Sequence, residues 1–106
     1  MINFVDEYMI DANAHNDEGL DEQKILLRSM SRTLNLIIEN ELTQRQSECL
    51  KMFYVKGKSQ QEIANELKLS QPTVSRHIAK AKEITNKYLG YCYFSVNKAN
   101  EQWLSQ

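Results

Sequence analysis

Gln71, Ser75, Arg76 and Lys80 are the side chains of this 106-residue chain best suited to act as a set. Steps of four, one and four residues put them on one broad side of a helix. An amide and a hydroxyl can each donate and accept, a guanidinium donates two parallel hydrogen bonds, and an ammonium suits an anionic oxygen. That is the chemistry of reading hydrogen-bonding edges beside a polyanion, as in a DNA groove, and it makes or breaks no bond. Catalytic groupings are missing from the sequence. Three glycines are too few for a dinucleotide fingerprint or a phosphate loop. Cys49 and Cys92 lie far apart with no histidines at ligand spacing, so neither metal nor cofactor is expected, and Cys49 reads as a small core residue. His15 stands alone in a polar stretch, and His77, between Arg76 and Ile78, reads as a packing residue or a phosphate contact. The chain is not expected to be an enzyme.

Two helix starts eleven residues apart position these side chains. Ser59 and Glu62 form an S-x-x-E capping box, and Ile63, Ala64 and Leu67 follow as one apolar stripe with Gln61, Asn65 and Lys68 outside. Ser70 is a second N-cap, Pro72 falls in the first turn where no intrahelical N–H is missed, and Leu69 can staple against Val74. The second helix turns Val74, Ile78 and Ala81 inward and leaves Gln71, Pro72, Ser75, Arg76, Ala79 and Lys80 outside. Two short helices sharing an apolar seam across a tight turn predict a helix-turn-helix, whose second helix enters a major groove. A small residue such as Ala64 is what a close helix crossing requires. Thr43, Arg45, Lys56, Lys58 and Ser59 flank this unit and are candidates to hold phosphates, while Ser70 and Thr73 sit at the start of the reading helix.

From Leu42 to Glu83 the chain resembles region 4 of bacterial sigma factors and, somewhat less, the LuxR-type regulator domain. The matching residues are Leu42-Thr43-x-Arg45-Gln46, Cys49-Leu50, Gly57, Ser59, Glu62-Ile63-Ala64, Leu67, Ser70 and Thr73-Val74-Ser75. The resemblance implies a DNA-binding domain that in sigma factors also docks on the polymerase flap. Lys68 departs from it, standing where both families carry glycine at the turn. The turn must then be strained, differently shaped, or made by a non-glycine residue in the left-handed region at about 1 kcal/mol.

The rest of the chain supplies scaffold. Ile2, Val5, Tyr8, Met9 and Ala12 fall on one side of a short helix, and residues 13–19 read as a loop. From an N-cap at Asp21 to about Asn40, Leu26, Leu27, Met30, Leu34, Ile37 and Ile38 keep a helical period. Thr43 and Gln46 cap a further helix that carries Cys49, Leu50, Phe53 and Tyr54 inward and closes at Gly57. Beyond Lys82 the helical pattern runs on through Ile84 and Tyr88 to Gly90; Tyr91, Cys92, Tyr93, Phe94 and Val96 have strand-like composition, whereas Tyr88, Cys92, Val96, Ala99 and Trp103 recur at helical steps, so the reading is a helix that can break near Gly90. Residues 1–42 hold nine acids and three bases and residues 43–106 five acids and ten bases, so the net charge of −1 conceals a basic half that contains the helix-turn-helix.

The expected protein is all-α, a small helical domain of four to six helices, with an N-terminal extension and scaffold over 1–42, the helix-turn-helix over 43–88 and an aromatic tail over 89–106. Without a signal-peptide pattern or a bilayer-length apolar run, it is expected in the cytoplasm and away from membranes. The expected partner is double-stranded DNA, with a second copy of the chain as homodimer partner and RNA polymerase as a further one. The competing readings are a polymerase-binding adaptor with an apolar patch near Phe53 and Tyr54, a protein-interaction module, and a packaging or recombination adaptor of a mobile element.

Overall fold

The computed structural model describes residues 4–8 and 22–104, and the described residues are all-α. Five helices follow in order: α1 (Phe4–Tyr8), α2 (Glu22–Asn40), α3 (Gln44–Tyr54), α4 (Gln60–Leu67) and α5 (Gln71–Leu104). The expected loop at 13–19, His15, the cap at Asp21 and the side chains of Ala99 and Trp103 lie outside what is described.

Periodicity accounts for α2. Met30, Leu34, Ile37 and Ile38 are buried as the spacing requires, and Leu26 packs at the edge of the same cluster. The cluster also takes Leu50 from α3, Ala81 and Leu89 from α5, and Phe4 and Val5 from α1. Val5 belongs to the expected stripe of the first helix, whereas Phe4, which that stripe omits, is equally buried.

α3 starts as the sequence requires: the Gln46 N–H donates to Thr43 Oγ1 (3.2 Å) and the Thr43 N–H to Gln46 Oε1 (3.0 Å). Cys49, Leu50 and Met52 are buried, and Gly57 takes the left-handed conformation (φ 67°) just beyond the helix end.

The tail takes the helical alternative. α5 runs without a break through Gly90, and its buried residue in that turn is Leu89 rather than Tyr88, which is 38% exposed. Phe4 crosses over Gly90, and its ring lies 5.4 Å from that of Tyr93. Packing on both sides of the glycine outweighs its helix penalty of about 1 kcal/mol.

A second interaction fastens α1. The Tyr54 hydroxyl donates to Asp6 Oδ1 (2.5 Å), and Lys82 lies 3.6 Å from the same carboxylate and 5.6 Å from the centre of the Tyr54 ring. Phe53 and Tyr54, expected inward and in the adaptor reading part of a surface patch, are both half-buried, and α1 covers the Tyr54 side. Burial, then the bond to Asp6, raises the Tyr54 pKa above 10.0; the bond with Tyr54 raises that of Lys82 above 10.5. Folded values above unfolded ones mean a contribution that is complete below about pH 10 and fades as pH rises through the folded values. The stability difference between wild type and Tyr54→Phe should accordingly be constant from neutral pH to pH 9 and shrink above pH 10. Denaturant titrations across that range check it, and a gap that persists unchanged into strong alkali would contradict the assignment.

Candidate nucleic-acid interface

α4 and α5 are built around two caps and one left-handed residue. The Glu62 N–H donates to Ser59 Oγ (3.1 Å) and the Ser59 N–H to Glu62 Oε1 (3.3 Å), closing the capping box. At the other end Lys68 adopts φ 58°, ψ 44°, and its N–H and that of Leu69 both reach the Ala64 carbonyl. Of the three solutions open for this turn, the chain uses the left-handed non-glycine residue. The Thr73 N–H then donates to Ser70 Oγ (3.3 Å), and the Ser70 and Thr73 hydroxyls are bonded at 2.7 Å. Ile63, Ala64, Val74 and Ile78 share a buried cluster with Cys49 and Met52, with Leu67 and Leu69 packed at its edge. Ala64, 1% exposed, lies at the centre of this seam, where extra methylenes would cost about 1–3 kcal/mol.

The outward face of α5 emerges where the spacing requires. Gln71, Pro72, Arg76, Ala79 and Lys80 are exposed, Thr73, Ser75 and His77 half-buried. Arg76 forms no ion pair among the described residues. Three other basic candidates already have acidic neighbours. Lys80 pairs with Glu83 (3.4 Å), Arg45 with Glu48 (3.2 Å), and Lys58 with Glu66 across α4. The hydrogen bond from Lys58 lowers the Glu66 pKa below its ordinary value. Exposed pairs of this kind are worth about 0–1 kcal/mol, so a phosphate can displace each carboxylate at small cost.

The Ser59, Ser70 and Thr43 hydroxyl oxygens each accept a backbone N–H at a helix start, so these residues set the direction of the helices that carry the interface. Arg45 stands apart from the α4–α5 corner, on the first turn of α3.

Two contacts escape the sequence reading. Gln71 Nε2 donates to Gln60 Oε1 (3.0 Å), joining the first residues of α4 and α5, and Glu66 restrains Lys58. The three-residue spacing of Arg45 to Glu48 and of Lys80 to Glu83 is visible in the sequence. The Lys58–Glu66 pair is less so, because it spans a loop and two turns.

Two capped helices crossing on a small residue, with an amide, a hydroxyl and an unpaired guanidinium along the outer face of the second, form a helix-turn-helix. Residues 40–84 match the family model for sigma-70, region 4. Over this segment the chain is similar to sigma-70, region 4. Region 4 domains are DNA-binding helix-turn-helix modules used in transcription. No curated protein and no solved structure matches the chain. No helix among the described residues is long and apolar enough to cross a membrane, and no cluster of metal-ligating side chains occurs among them.

The turn between α4 and α5 generates a stability test. Lys68→Gly should relieve the left-handed backbone and stabilise the fold by up to about 1 kcal/mol, raising the melting temperature by about 4–8 °C per kcal/mol for a domain of this size. A thermal melt that is unchanged or lower would mean that the lysine holds this conformation without strain.

Proposed function

We propose that this protein is a free-standing, sequence-specific regulator of transcription that binds double-stranded DNA as a homodimer in the cytoplasm. Residues 43–88 act as the reading unit, and the flanking stretches serve as scaffold and dimer surface. The observation that carries the reading is the presentation of Gln71, Ser75 and Arg76 along the outer side of α5 directly after a capped turn. Arg76 reads a base or grips a phosphate, Lys80 and Lys58 hold the backbone, and Arg45 extends the contact from α3. Polymerase is not needed for this binding. The apolar residues once available to an adaptor surface, Phe53 and Tyr54, are half-buried, and Tyr54 is bonded to Asp6.

The dimer reading draws on the other side of the molecule. Leu36, Tyr88, Tyr91 and Phe94 are large exposed apolar residues, and the first three, with Thr33, Ile37, Asn40, Glu41 and Cys92, line an open hollow of about 580 Å³ between α2 and α5. Exposed Arg32 and Glu39 lie at equal distances either side of Asn35 and Leu36. An antiparallel pairing of two α2 helices would set each arginine against the other copy's glutamate, the self-complementarity that a two-fold contact demands. About twenty residues of helix separate Gln71 from Tyr91, roughly 30 Å. Two reading segments would then lie about 60 Å apart, nearer two turns of duplex than one.

Mobility shifts at low salt should reveal duplex binding. Arg76→Ala should cost about 1–3 kcal/mol and relax sequence preference, and Lys80→Ala should weaken all sequences alike. Nuclease protection of a specific duplex should need no polymerase; protection only after polymerase is added would favour the adaptor. Light scattering should give a dimer that Leu36→Glu combined with Tyr91→Glu converts to a folded monomer. A wild-type monomer at high micromolar concentration would remove the dimer.

A further inference from the structure

The bond between Gln60 and Gln71 determines what Gln71 can read. A glutamine amide has two N–H donors and a carbonyl oxygen. One N–H of Gln71 is committed to Gln60 Oε1 (3.0 Å), which leaves its amide one donor and one acceptor and fixes the plane in which they lie. Adenine presents the complementary pair in the major groove, the N7 acceptor beside the N6 amino donor, whereas guanine presents two acceptors, N7 and O6. A Gln71 amide left with both N–H groups free could satisfy guanine; held as it is, it cannot do so without giving up its partner. Gln60 keeps both of its own N–H groups. It is half-buried at the first turn of α4, and its free amino group is suited to a phosphate oxygen.

We propose that Gln71, held by Gln60, is a specificity-determining residue that selects adenine in the major groove, and that Gln60 binds the adjoining phosphate while fixing the Gln71 amide. This assignment rests on the DNA-binding function proposed above. Lys80 and Arg76 add affinity to the same face, but neither carries a donor–acceptor pair, so neither distinguishes adenine from guanine in this way.

Selection from random duplex pools, followed by titration of the selected site, tests both residues with the full chain. Wild type should select an adenine whose preference disappears in Gln71→Ala, with affinity for the selected site falling about 5- to 150-fold. In Gln60→Ala the adenine preference should narrow and binding to every sequence weaken a few-fold. Replacing that adenine by 7-deazaadenine, or by purine without the amino group, should weaken wild type and leave Gln71→Ala unaffected. Both side chains lie at the surface, and unchanged circular dichroism verifies that the variants fold. Selection of guanine at the position that Gln71→Ala relaxes would overturn the assignment, as would a Gln71→Ala profile identical to wild type. In both of those outcomes duplex binding persists and the wider function stands. Absence of binding to any duplex would overturn both.

Discussion

All the other described helices lay an apolar stripe against α5, and the structure depends on that one helix being continuous. Its 34 residues give a rod of roughly 50 Å. Val74 and Ile78 at one end enter the cluster that holds α4 with Cys49 and Met52 of α3; Ala81 and Leu89 enter a second cluster with α1, α2 and Leu50 of α3. Tyr54 packs at the edge of both. A helix of eight residues such as α4 has little stability alone, so its orientation comes from this packing rather than from its own hydrogen bonds. The direction in which Gln71 and Arg76 point is consequently set by residues as distant in sequence as Leu50 and Leu89.

Electrostatics modulates this arrangement without creating it. Part of the basic excess of residues 43–106 does not stand as bare charge, since Arg45, Lys58, Lys80 and Lys82 each have a carboxylate nearby. In three of those pairs salt or phosphate can exchange the partner. The fourth, Lys82 with Asp6, is tied to the Tyr54 ring and hydroxyl and belongs to the fold. Counting cations along a sequence cannot separate the two kinds; which carboxylate sits opposite, and what covers it, does.

Local rules made the helix-turn-helix legible in the sequence. The Ser59 and Thr43 capping boxes, the Ser70 cap and the inward set Ile63, Ala64, Val74 and Ile78 depend on neighbours within four residues, and they fold as such spacing requires. Lys68 was legible as a problem with three solutions, because the cost of the left-handed region is intrinsic to any L-residue while the choice of solution depends on the surrounding turn. At Gly90 the sequence allowed a break that the structure does not use, for the opposite reason. Glycine's penalty is local, but Phe4, from the far end of the chain, supplies the packing that offsets it. The Gln60–Gln71 bond was hidden because the eleven-residue interval implies nothing until the crossing of the two helices brings their first residues together.

Continuity of α5 also constrains how two copies could share one DNA molecule. A regulator whose reading helix joins its dimer surface through a flexible linker tolerates variable half-site spacing, because the linker adjusts at little cost. In this chain Gln71 and Tyr91 are parts of the same helix, so the distance between them is fixed by the backbone rise and can change only by bending the helix or by re-angling the contact between copies. Gly90, next to Tyr91, is the position at which such a helix would most readily bend, yet Leu89 is fully buried and the Phe4 ring lies over the glycine. The packing that keeps the tail helical is thus the same packing that would hold the spacing between two reading segments, and α1, although only five residues long, contributes to it through Phe4.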